Sequence, residues 1–428
     1  MVIKHLIYCI AVPFLAFTQS IEMMSDHTNA VYTCGEVATF TIQVLDKDKN
    51  PLSSGRLNVS VNNFGPKVIT NAVFDLAAGN PVTISGTLAE PGFLKCTASI
   101  KLDKDYRTVF GAAYEPEKLV AGSACPADFD EFWANAVKKL DTEVPIDARI
   151  ERVEKWCNEK HEGYRVSFAT FDGMRVYGFL SVPAGKGPFP VEVNVPGAGP
   201  GVIGPSTYMA DNGFISLVMN VHPFEPADTA DAQMMLYTNQ DNRVKEEFGA
   251  PRYCVAGVAA RETFFYYRII LGINRAVNWL ASRPDVDRTR FCYGGTSQGG
   301  GFGLILCGLN RNFTKGSIHV AAIADLLGFQ KGRDSGWPKL VENTRAEDKG
   351  SAISIAPYFD GVHFGSRIAC PVRMSVGFSD ETCPPAAVYA AYNALRVKDK
   401  AIEHGIAMPH RVYPQIYDKN DAKWLRVK

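Results

Sequence analysis

The spacing of apolar residues changes near residue 120, and that change constrains the fold more than any single motif. From about residue 30 to 110 the apolar residues recur at every second position. Phe40, Ile42 and Val44 alternate with Thr39, Thr41 and Gln43, and Leu57, Val59 and Val61 alternate with Asn58, Ser60 and Asn62. Leu94, Cys96, Ala98 and Ile100 do the same with Lys95, Thr97, Ser99 and Lys101. Successive side chains of a strand point to opposite faces, so each segment has a core face and a wet face. Several such strands with no helical stretch predict a small β-sandwich of immunoglobulin-like size over residues 21–115.

After Cys125 the period lengthens. Pro126 suits the first turn of a helix, and Phe129, Phe132, Trp133, Ala136, Val137 and Leu140 follow at helical spacing. Residues 163–171 and 174–182 flank Asp172-Gly173, a two-residue hairpin signal. Short apolar strands are predicted at 190–195, 214–220, 289–294, 317–324 and 372–378, with helices between them. One of these helices is marked by Tyr266, Ile270, Ile273, Val277 and Leu280. A hairpin followed by β-α repeats predicts an α/β domain over residues 116–428, built on a doubly wound, mostly parallel sheet. Residues 225–260 are weakly periodic and read as an insertion near the mouth of a site. No Gly/Ser linker marks the boundary, so the two domains are expected to pack together.

Hydrophobic residues make up 46% of the 428 and charged residues 21%, which is a globular balance. The 45 basic and 45 acidic residues cancel, which argues against a nucleic-acid partner. Lys4, an apolar run from Leu6 to Phe17 and a polar exit at Thr18-Gln19-Ser20 fit a signal peptide over residues 1–20, and hence a secreted or periplasmic protein. The alternative is a buried N-terminal strand. The run is too short to span a bilayer, and no other stretch is apolar enough, so no integral membrane segment is expected. Tyr8 stands where a lipidated Cys9 would need a small residue. The ten cysteines include no CxxC pair. No metal-ligand spacing or dinucleotide fingerprint is visible, so neither a metal nor a cofactor is expected. Cys34 and Cys96 could pair, or remain buried thiols.

Gly295-Thr296-Ser297-Gln298-Gly299 matches G-x-S-x-G. Arg290–Tyr293 precedes it as a strand, and Gly300–Leu306 follows as a helix despite its glycines. Strand, tight turn and helix form a nucleophile elbow, which exposes the serine at the carboxyl edge of the sheet. A serine hydroxyl needs a base to take its proton, and the base needs an orienting carboxylate. With an elbow of this kind the chain order is serine, acid, histidine. Met374–Asp380 is a strand ending in an acid, so Asp380 lies at the same edge, with Glu381 a weaker rival. His404 falls inside a predicted last strand. His410 follows it, and a general base must come from a loop, which favours His410. His319 and His363 are out of chain order and read as core or surface histidines. Acyl transfer also needs oxyanion donors. The expected pair is the backbone N–H of Gln298 and that of Ala198, in the loop Pro196–Gly201.

Residues 125–410 resemble the acetylxylan esterase and cephalosporin-C deacetylase family, carbohydrate esterase family seven. The resemblance rests on several segments: Cys125–Trp133, Arg275–Leu280 with Ser282–Asp287, Ser297–Gly301, Gly377–Asp380, Cys383–Pro385 and Tyr389–Asn393. It implies an α/β-hydrolase that removes acetyl groups from oligo- or polysaccharides through an acyl-enzyme. It carries Ser297, Asp380 and His410 as nucleophile, acid and base, and it implies a homo-oligomer. This chain departs from the family pattern at Asn220-Val221-His222-Pro223, where Arg-Gly-Gln is usual, and at Arg411, where Glu is usual. A broader carboxylesterase or a peptidase of the same fold is the alternative, and a non-catalytic glycan binder the third reading.

Overall fold

The computed structural model describes residues 18–427. Most of the signal-peptide expectation therefore lies outside the described residues, as does Cys9. The first strand, β1, is Ser20–Ser25. It is followed by β2 Val31–Tyr32, β3 Ala38–Leu45, β4 Arg56–Asn62, β5 Val68–Asp75, β6 Val82–Gly86, β7 Gly92–Lys101 and β8 Asp105–Tyr114. They form a three-stranded sheet in the order β1-β3-β6 and a five-stranded sheet in the order β2-β8-β7-β4-β5. The period-two pattern decides which face is inside. In β4, Leu57, Val59 and Val61 are buried while Arg56 and Asn58 are exposed. Cys96 is buried in this core and Cys34 is half-buried, and both thiols are free.

The second domain is built on a nine-stranded sheet. Its strands are β9 Arg149–Arg152, β10 His161–Ala169, β11 Arg175–Pro183, β12 Phe189–Val195, β13 Ile215–Met219, β14 Val286–Thr296, β15 Lys315–His319, β16 Val372–Gly377 and β17 Lys400–Gly405. The order is β17-β16-β15-β14-β12-β13-β11-β10-β9. The run from β13 through β12 and β14 to β17 is parallel. The β9-β10-β11 edge is antiparallel, and β11 joins β13 antiparallel. This is the α/β-hydrolase fold, with the N-terminal sheet domain ahead of it.

The helices are α1 Phe129–Glu143, α2 Thr207–Asp211, α3 Ala230–Phe248, α4 Phe265–Ala281, α5 Gln298–Leu309, α6 Lys349–Phe359, α7 Gly361–Gly365, α8 Pro385–Ala394 and α9 Pro414–Tyr417. In α1 the predicted stripe is the buried one: Phe129, Trp133, Ala136 and Leu140 face inward. Trp133 also donates its indole N–H to the Tyr358 carbonyl at 2.9 Å.

Two expectations are corrected. The hairpin turns at Asp172-Gly173, both at positive φ. Its register pairs Ala169 with Arg175, which leaves the loop longer than the two residues expected. The strand expected over 317–324 ends at His319. Beyond it Val320, Ile323 and Asp325 adopt positive φ, so the buried apolar run is a packed loop. The weakly periodic stretch 225–260 contains a 19-residue helix, α3. Thr229 caps it by accepting from the Ala232 N–H, and Gly249 ends it at φ 65°.

Candidate active site

β12 has β13 on one side and β14 on the other, so the chain reverses its direction of travel across the sheet there. Loops leaving the carboxyl ends of β12 and β14 diverge at such a point and open a crevice. The loop after β14 is the G-x-S-x-G turn. Ser297 sits in it at φ 60°, ψ −120°, a conformation a non-glycine residue holds only when its surroundings enforce it. Its N–H donates to the His319 carbonyl, and its own carbonyl accepts from Gly301 and Ala322. Glycine is required on both sides. A Cβ at Gly299 would lie 1.9 Å from the Val195 carbonyl, and one at Gly295 would lie 2.6 Å from the Gly299 carbonyl.

The elbow, the turn after β16 and the loop after β17 bring Ser297, Asp380 and His410 together. His410 Nε2 lies 2.8 Å from Ser297 Oγ. His410 Nδ1 lies 2.8 Å from Asp380 Oδ2. Asp380 is fully buried. Its second oxygen accepts from the N–H groups of Thr382 and Cys383 at 2.9 Å each, which fixes the carboxylate plane. The Ser379 N–H donates to the Met408 carbonyl, so the acid turn and the histidine loop are tied directly. The hydroxyl can pass its proton to Nε2, and the imidazolium that forms faces a carboxylate across Nδ1.

The rival residues lie elsewhere. His404 is inside β17, where its Nε2 is hydrogen-bonded to the Tyr389 hydroxyl. Glu381 points away from the triad to Arg107 and Lys95. His319 is buried between Ser375 and Asp421, and His363 is buried in α7.

The two expected oxyanion donors flank the serine. Gln298 opens α5, where its N–H has no intrahelical partner by position. The loop bearing Ala198 lies against the elbow, since a Cβ at Gly197 would stand 3.8 Å from Ser297 Cβ. Among the described residues, no hydrogen bond engages the Ala198 N–H. Pro196, Ala198, Asn220, His222, Gln233 and Gln298 line a cavity of about 300 Å³ beside the elbow. Gln233 belongs to α3, so the insertion does border the site.

Several groups here carry no sequence signal of their own. The Gln298 side chain is buried, and its Oε1 accepts from the hydroxyls of Tyr253 at 2.8 Å and Tyr266 at 2.9 Å. Both phenols are pushed well above their ordinary range by burial, so they remain donors. Burial also pushes His222 down to about 4, against the opposing hydrogen bonds to Gln240 and the Gly199 backbone. Cys383 is buried beside the triad. Burial and the Asp380 charge push its thiol well up, against a hydrogen bond with Ser297, so it is no rival nucleophile.

The acetyl xylan esterase (AXE1) family matches residues 114–427. The acetyl esterase Axe7A of Xylanibacter ruminicola is 30% identical over 333 residues, spanning 76% of this chain and 73% of that protein. Among solved structures, the acetyl xylan esterase from Paenibacillus sp. R4 superposes with a TM-score of 0.62 at 24% identity, covering 73% of this chain and 98% of that one. Acetyl xylan esterase 1 from Thermoanaerobacterium sp. JW/SL YS485 gives 0.60 at 20% identity, covering 73% and 96%. The two structures carry the fold, while the family match and the Xylanibacter relative carry more. This chain belongs to the acetyl xylan esterase family and is a carboxylic ester hydrolase of the α/β-hydrolase fold.

Proposed function

We propose that the protein is a secreted or periplasmic serine esterase that removes acetyl groups from xylan or xylo-oligosaccharides through an acyl-enzyme. The observation that carries this reading is the unbroken chain Ser297–His410–Asp380, with both links at 2.8 Å. Ser297 Oγ attacks the acetyl carbonyl while His410 Nε2 accepts its proton. Asp380 holds Nδ1–H and faces the imidazolium charge. The N–H groups of Gln298 and Ala198 take the oxyanion. Collapse of the tetrahedral intermediate expels the sugar oxygen, and His410 returns the proton to it. Water then repeats the sequence on the acetyl-serine, releasing acetate. The carbohydrate reading draws its support from the family and from the relatives' activity. The secreted reading draws its support from Met1–Ser20.

Acetate release from acetylated xylo-oligosaccharides, compared between wild type and Ser297→Ala, tests it. Loss of the nucleophile is expected to cut turnover about 10⁴-fold or more. Equal release by the two proteins would sink the Ser297 mechanism. A wild type that cleaves 4-nitrophenyl acetate but no acetylated sugar would replace the substrate and keep the mechanism.

A further inference from the structure

The N-terminal sheet domain meets the hydrolase at the turn that carries the acid. Phe93, Lys95, Arg107 and Gly111 lie on one face of the β7–β8 pair, because Lys95 pairs with Gly111 and Ser99 with Arg107. That face covers residues 378–381. The Phe93 ring meets the Phe378 ring edge-on at 5.2 Å and lies 5.8 Å from Tyr389. At Gly111 the β8 backbone comes so close that a Cβ would stand 1.9 Å from the Phe378 carbonyl oxygen. Glu381 is gripped from the same side. Arg107 holds both its oxygens, at 2.6 and 2.7 Å, and Lys95 adds a contact at 3.2 Å. Asp380 therefore sits between two residues that another domain holds in place. Its own turn fixes the carboxylate plane through the Thr382 and Cys383 N–H groups, and the sandwich holds that turn from outside.

We infer that the sandwich is a positioning element of the active site, with Arg107 as a positioning residue that aims the Asp380 carboxylate at His410 by clamping Glu381. This goes beyond the esterase reading but rests on its triad. The bidentate geometry suits the role, since two parallel bonds fix direction as well as distance. The clamp is also separable from domain docking. The Asp334 N–H donates to the Phe64 carbonyl at 2.6 Å, and Asn63 Nδ2 donates to the Gly332 carbonyl at 2.7 Å, away from this turn. Arg107 is itself half-exposed, so its loss leaves little buried surface unfilled.

The test is steady-state hydrolysis of 4-nitrophenyl acetate by wild type, Arg107→Met, Arg107→Lys, Glu381→Gln and the exchange Arg107→Glu/Glu381→Arg, with thermal melts of each. A misaimed acid is expected to lower kcat about 10- to 100-fold in Arg107→Met and Glu381→Gln. KM should stay within about twofold, and the acid limb of the kcat/KM–pH profile should move, because it reports the His410–Asp380 pair. Arg107→Lys and the exchange should recover part of kcat. Folded Arg107→Met and Glu381→Gln proteins with wild-type kcat and an unmoved pH profile would overturn the inference, whatever their melting temperatures. An inactive wild type would instead remove the esterase reading beneath it. Glu381→Gln attacks the clamp from the hydrolase side, so the test stands even if an Arg107 variant fails to fold.

Discussion

Gln298 has two jobs at one position. Its backbone N–H is the proposed oxyanion donor, and its buried side chain is held by Tyr253 and Tyr266. Any rotation of the residue would move the N–H, so the two phenols fix the donor from behind. Either phenol alone still satisfies Oε1. Tyr253→Phe and Tyr266→Phe should therefore each cost about 1 kcal/mol of stability. The double variant strands a buried carbonyl oxygen, and its cost should exceed the sum of the singles by about 1–2 kcal/mol. Urea denaturation of the four proteins measures that coupling, and additive costs would show that the oxygen finds another partner. Ser297, Asp380 and His410 were legible in the sequence because chain order and loop position single them out. Tyr253 and Tyr266 were not, because a phenol that donates to a buried amide has the same spacing and composition as one that only fills a core. Cys383 was hidden in the same way, as a small residue between Asp380 and two prolines.

The elements show where periodicity informs and where it misleads. α4 was legible because Tyr266, Ile270, Ile273, Val277 and Leu280 are all buried. α3 was not, because the residues it buries are Gln233, Gln240 and Val244. Two of those three are polar, so burial leaves no apolar stripe to read. The overrun at 317–324 has the opposite cause: Val320 to Ala324 are apolar and buried yet irregular, packed under the elbow, and a short buried run looks the same whether strand or loop. α5 was expected as a helix despite its glycines, and the contacts explain them. A Cβ at Gly300 would lie 2.6 Å from the His319 carbonyl, and one at Gly301 2.4 Å from the Ala322 carbonyl. The first turn of α5 thus lies directly on β12 and the loop after β15. Gly299→Ala must push that turn off the Val195 carbonyl. It should cost about 1–3 kcal/mol, with a fall in kcat larger than any change in KM. Gly350→Ala, in α6, meets nothing within 4 Å and should stabilise by about 0.4–1 kcal/mol with kcat unchanged. Thermal melts and 4-nitrophenyl acetate kinetics on the pair separate contact from propensity, and equal effects at both glycines would refute the close-packing account.

Across the whole molecule, burying neutral histidines ties stability to pH. His222 follows β13 at the switch-point crevice, 4% exposed. It stacks on Phe224 and meets Tyr253 edge-on. The Gln240 amide bonds its Nδ1 at 2.9 Å, which joins α3 to the sheet. Burial holds its pKa at about 4, and burial with the Arg367 charge holds His363 at about 4 also. An unfolded histidine titrates near 6.5. Between pH 6.5 and 4 the unfolded chain therefore binds protons that the native state refuses. Each histidine then withdraws stability as pH falls, by about 1.4 kcal/mol per pH unit, and the loss levels off below pH 4. Above pH 6.5 both states are neutral and the contribution is flat. His222→Gln removes one of the two. At pH 7.5 the variant should be the less stable protein, because it loses the stacking and the fit against Gln240. By pH 5 the gap should have narrowed by about 2 kcal/mol, since only wild type carries the His222 penalty. Urea denaturation of both proteins at pH 7.5, 6 and 5 measures the gap directly. A gap that stays constant across that range would mean that His222 accepts its proton in the folded state, and that its burial does not govern the acid limit of the fold.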